Sequence, residues 1–127
     1  MGSFSILAVD DIARINENFT GYPCDSQRKQ AAAACYSSFA WYYGSAEKIA
    51  CITRSLAKGH FFADGNKRTS LMVYLILCRL NGLPPLENNE SLVRIFVELA
   101  AGRLDVGEVA ALLFPCLVGK VSAREDV

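Results

Sequence analysis

Strand signals are almost absent from this chain, and helical ones recur from end to end. Ile12, Ile15 and Phe19 repeat at intervals of three and four, the spacing that lines one face of an α-helix, with Asp10 as the expected N-cap. Gly21 and Pro23 then break the chain. From about Ser26 the segment QRKQAAAACYSSFAWYY reads as a helix of good formers that turns aromatic before Gly44 closes it. Ser45 is the expected cap of a next helix, with Ile49, Ile52 and Leu56 on its core face and Gly59 at its end. A long helix is expected from about Asn66 to Leu80, stopped by Asn81-Gly82 and Pro84-Pro85. Two more follow, from about Ser91 to Ala101 and from about Val106 to Phe114, ended by Gly102 and Pro115. About six helices with short connections define an all-α, compact bundle, and 127 residues make one domain spanning 1–127.

Composition narrows the function. With 13 basic and 13 acidic residues the chain has no bulk charge with which to grip nucleic acid. A small anion needs only a local positive spot. The longest apolar run, Leu71 to Cys78, is far below the roughly 20 residues of a membrane span. The start, MGSFSILAVDD, has no basic n-region and turns acidic too soon for a secretory leader. Five cysteines without a CxxC, and a single histidine, fit buried thiols in a reducing cytoplasm better than a zinc site. The Trp41-Tyr42-Tyr43 cluster reads first as core or ordinary surface, second as a docking platform.

Polar chemistry concentrates at GHFFADGNKRTS, directly before the most apolar segment. A helix starting near Gly65 leaves its first N–H groups without partners inside the helix. The macrodipole adds partial positive charge there, and such helix starts bind phosphate. Lys67 and Arg68 oppose that dipole, and a bound anion would offset the repulsion. Arg68 offers a planar fork to phosphate oxygens and Lys67 a point charge. Asp64 is a hard oxygen ligand, and magnesium needs only one carboxylate beside phosphate and water. Asn66 can contact phosphate or hold the loop. Histidine is the side-chain type that can take a proton near neutral pH without a large perturbation, and His60 could deprotonate an incoming hydroxyl. Phe62 is expected to point inward as an anchor. On the residues alone, the stretch equally fits a surface histidine, a common Asp-Gly turn and a solvated basic helix start.

The ordered set HFFADGNKR resembles the signature of the Fic/Doc family, H-x-F-x-[DE]-[GA]-N-[KG]-R, at every constrained position. The likeness continues through LCRLNGLPP and LVRIFVELAAGRLDVGEVAALL and weakens before about residue 45. The resemblance implies a Fic/Doc-like helical fold and an enzyme using ATP and Mg2+. It implies that His60 is the general base, with Lys67 and Arg68 the cations of the catalytic set. It also implies that Asp64 holds magnesium and that Gly65, Asn66, Lys67 and Arg68 bind the nucleotide.

Departures from the AMP-transferring pattern point within the family. Lys67 stands where those enzymes usually carry Gly, and Leu71 where they carry a second Arg, as in Doc toxins. Gly65 is the Fic-like choice where some Doc proteins have Ala, and Phe61 replaces a common proline. No Ser or Thr is followed four residues later by Glu, so the family's self-inhibitory segment is missing. The resemblance thus implies a cytoplasmic Doc-like toxin that phosphorylates a Ser/Thr hydroxyl, with elongation factor Tu as target, blocking translation. A Phd-like antitoxin, folding as a helix on binding, would restrain it. The alternatives are Fic-type AMP or NMP transfer and a catalytically silent binding fold.

Overall fold

A computed structural model of the chain describes residues 3–117, apart from the side chains of 35 and 36. Its elements are α1 (Val9–Thr20), α2 (Ser26–Tyr36), a 3-10 turn (Ser37–Trp41), α3 (Ser45–Gly59), α4 (Asn66–Leu80), α5 (Asn89–Ala100) and α6 (Val106–Leu113). The described residues form an all-helical bundle, as the periodicity predicts.

The central helix is α3, which packs against α2, α4, α5 and α6. Its inward residues Ile49, Ala50, Ile52, Leu56 and Ala57 are fully buried. Val73, Tyr74, Leu77 and Cys78 of α4 meet them, and Leu92, Phe96 and Leu99 of α5 with Val109 and Leu113 of α6 close the core. Burying such side chains contributes roughly 1.5–3 kcal/mol each, before entropy is charged. One buried hydroxyl ties α4 to α3, and a second bonds back within α3. Ser70 Oγ donates to the Thr53 carbonyl at 2.6 Å, and Thr53 Oγ1 donates to the Ile49 carbonyl at 2.8 Å. The Tyr74 phenol donates to the Leu113 carbonyl at 3.0 Å and accepts from the Leu86 N–H at 2.7 Å. One side chain thereby joins α4, α6 and the Pro84-Pro85 connection.

Several helix ends differ from the expected ones. Asp10 is not the N-cap of α1; Ala8 is, without a side-chain cap. Asp10 sits in the first turn, where the dipole favours an anion, and pairs with Lys29 of α2 at 3.5 Å. Gly44 rather than Ser45 caps α3. The second helix leaves α geometry at Ser37, whose Oγ donates back to the Ala34 carbonyl at 2.9 Å. Such local bonding competes with the helical ladder. The turn leaves Trp41 and Tyr43 exposed, not in the core. Two caps were unanticipated: Asn88 accepts from the Ser91 N–H before α5, and Asp105 with Glu108 forms a capping box before α6. Of the cysteines, Cys51 and Cys78 are buried, Cys24 is half-buried and Cys116 is exposed, so burial holds only in part. The Cys35 side chain lies outside the described residues.

Candidate active site

The junction between α3 and α4 is built from both sides. Gly59 ends α3, but the left-handed residue that closes it is His60, at φ 50°, the only non-glycine with positive φ among the described residues. Histidine is among the few side chains that visit this region, at some cost. Gly59 meets a different constraint: a Cβ there would lie 2.3 Å from the ring of Phe61, which would have to shift. The chain then drops Phe62 into the core, at 5% exposure, as expected of an anchor.

Asn66 closes the loop on itself. Its Oδ1 accepts from the Phe62 N–H at 3.0 Å, and its Nδ2 donates to the Phe62 carbonyl at 2.9 Å. The structure shows this amide holding the loop, while Asn66 also lines the cavity. Asp64 turns its Oδ1 to the Gly65 N–H at 2.8 Å and remains exposed. Gly65 is the N-cap of α4 at φ 72°, and no side chain caps this helix. The start of α4 therefore presents backbone donors, with Lys67 and Arg68 exposed on its first turn. Arg68 is steered by Phe19 of α1, whose ring centroid lies 5.4 Å from the guanidinium carbon.

The residues singled out in the sequence converge. His60, Asp64, Gly65, Asn66, Lys67 and Arg68 all line one cavity of about 500 Å3, within the usual range for small-molecule sites. The wall away from the loop is Leu71 of α4 with Val93, Phe96, Val97 and Ala100 of α5.

Two contributions were not read from the sequence. Val93 and Val97 belong to α5, far from the motif along the chain. Asn16 belongs to α1 and is buried to 3% exposure. Its Nδ2 donates to the Asp64 carbonyl at 2.7 Å and to Thr69 Oγ1 at 3.0 Å. A signal for Asn16 did exist: it lies four residues after Ile12, on a core-facing stripe, where a buried amide must find partners.

Residues 11–78, more than half of the chain and including the whole loop, match the model of the Fic/DOC family. The chain belongs to this family, whose members transfer nucleotide or phosphate groups to proteins. No curated protein matches it. Among the described residues, no helix is long and apolar enough to cross a membrane.

Proposed function

We propose that this chain is a Doc-branch phosphotransferase that moves the γ-phosphate of ATP to a Ser/Thr hydroxyl of a protein, with elongation factor Tu as target, and so blocks translation. The observation that carries the reading is the convergence of His60, Asp64, Lys67 and Arg68 on one cavity at an uncapped helix start.

The residues fit a nucleotide with its magnesium. Gly65 keeps the helix start open, and the first turn of α4 carries two cations and no acid. Lys67 and Arg68 would hold phosphate oxygens, and Asp64 would hold the metal, sharing it with phosphate and water. Magnesium, when bound, neutralises phosphate charge. His60 takes the proton of the target hydroxyl as its oxygen bonds to the γ-phosphorus and the bond to the leaving ADP breaks. Catalysis of this kind is mostly positioning and charge neutralisation. Restraint by a Phd-like antitoxin is part of the same proposal.

Transfer of AMP is the second reading, and Gly65 was its support. The packing weakens that support. A Cβ at Gly65 would lie 2.8 Å from Thr20 Cγ2, so α1 requires glycine here whichever phosphate is transferred. Lys67, by filling space that glycine leaves open, favours the γ-phosphate. Incubation with purified elongation factor Tu, or with lysate, and ATP labelled at the α- or γ-phosphate decides between them. Label from γ on the target is expected; label from α selects AMP transfer, and label from neither overturns both.

A further inference from the structure

The cavity lining falls into two chemically different sets. Among the described residues, every charged or polar side chain on it belongs to the loop and the first turn of α4. The others include Leu71, one turn further along α4, and Val93, Phe96, Val97 and Ala100 of α5, none of which carries a side-chain hydrogen-bonding group. Three polar residues of α5, Ser91, Arg94 and Glu98, line a separate cavity instead. Val93 and Val97, one helical turn apart, stay 60% and 45% exposed. Phe96 lies behind them, almost fully buried. An apolar patch continuous with a cationic phosphate seat has the complementarity of a nucleotide: anionic at one end, flat and weakly polar at the other.

We propose that the α5 wall seats the base of the donor nucleotide by shape and dispersion alone, so that the enzyme accepts all four ribonucleoside triphosphates. This rests on the triphosphate reading of the loop given above. A site discriminates strongly only when it hydrogen-bonds the group that distinguishes its ligands, giving about 10⁴–10⁵-fold selection; an apolar pocket sorts similar ligands by only about 10–200-fold. Contact with a base face is tolerant of base identity for the same reason. At Leu71, Val93 and Phe96 the helix backbone adds no reader, because helix-interior N–H and C=O groups are spent on one another.

The test is calorimetric binding of ATP, GTP, CTP, UTP and inorganic tripolyphosphate to the full chain in magnesium chloride. The expected result is four nucleotide Kd values within about 200-fold of one another, with tripolyphosphate at least about 10-fold weaker than any of them. The double variant Val93→Ser/Val97→Ser, on exposed positions, should weaken all four by a common factor of about 3–10 and leave tripolyphosphate unchanged. One nucleotide preferred by more than about 200-fold overturns the proposal, as does tripolyphosphate binding within about 10-fold of the nucleotides. Equal binding of the four without phosphate transfer would sink the phosphotransferase reading and leave the wall assignment standing. Binding of none of the five overturns both.

Discussion

The Asn16 side chain of α1 donates to the Asp64 main-chain carbonyl at 2.7 Å, across 48 residues of sequence. The same nitrogen reaches Thr69 Oγ1 at 3.0 Å, on the far side of the glycine that starts α4. A buried amide of the first helix therefore spans the turn that carries the candidate metal carboxylate. Asn16→Ala should lower unfolding free energy by about 1–3 kcal/mol, the cost of leaving buried acceptors unpaired. Asn16→Asp should cost more, because a carboxylate cannot donate and would face a carbonyl. Urea unfolding measures both, and an Asn16→Asp variant as stable as wild type would refute the bond's role.

Gly65 is held by two constraints that can be separated. Its φ of 72° charges any side chain the left-handed cost, about 1–2 kcal/mol. Independently, the new Cβ would stand 2.8 Å from Thr20 Cγ2. Thr20→Ser removes that methyl while keeping the hydroxyl that donates to the Asn16 carbonyl at 3.0 Å. Gly65→Ala should destabilise by about 2–4 kcal/mol alone and by roughly 1 kcal/mol less in the Thr20→Ser background. Additive effects of the two substitutions would show that the contact with α1 carries no energy.

His60 combines a chemical role with backbone strain, and two substitutions distinguish them. Both His60→Ala and His60→Gly remove the imidazole, so transfer should fall at least about 10²-fold in each, as for loss of a general base. Only glycine relieves the φ of 50°. His60→Gly should therefore be more stable than His60→Ala, by about 1 kcal/mol in unfolding free energy. A drop in transfer of only a few-fold would remove His60 from the proton-transfer role.

Buried acidic hydrogens link the core to pH. Burial pushes the Cys78 thiol from its ordinary 9.0 up to about 11, and burial also pushes the neighbouring Tyr74 phenol upward. A raised folded-state value means that the folded protein holds the proton more tightly than the unfolded chain. The contribution is complete below about pH 9 and is lost as pH rises through about 11, amounting to roughly 3 kcal/mol for the thiol. Cys78→Ala should cost stability at pH 8 through lost packing, yet lose less than wild type between pH 8 and 11. Parallel stability curves for the two proteins would contradict this.

The fold was legible because apolar spacing decides which face of a helix is buried. Ile49, Ile52 and Leu56, and likewise Leu92, Ile95, Phe96 and Leu99, are buried where their periodicity put them. Helix ends were less legible, since they depend on competing local bonds: Ala8 displaced Asp10, and His60 took the left-handed turn one residue after Gly59. The loop residues could be named because they lie within nine consecutive positions. Asn16 and the Val93–Val97 wall could not, because only the packing of α1 and α5 brings them to α4. Asn66 stood between: its type allowed two roles, and its bonds to the Phe62 backbone show the loop-holding one.

Lys67 separates the two transfer chemistries. It is exposed in the first turn of an uncapped helix, where the dipole disfavours a cation by about 0.3–1 kcal/mol. Lys67→Gly removes that repulsion but introduces a residue poorer in helix propensity by roughly 1 kcal/mol at most. The two effects oppose, so stability should change by less than about 1 kcal/mol. The catalytic outcome should change far more. With the side chain gone, the space it fills is open to phosphate, and label from α-labelled ATP should appear on the target while label from γ falls. A variant that is folded, binds ATP and still transfers only the γ-label would show that Lys67 does not set which phosphate is presented. The basis of the subtype would then have to be sought in the α5 wall or at Leu71.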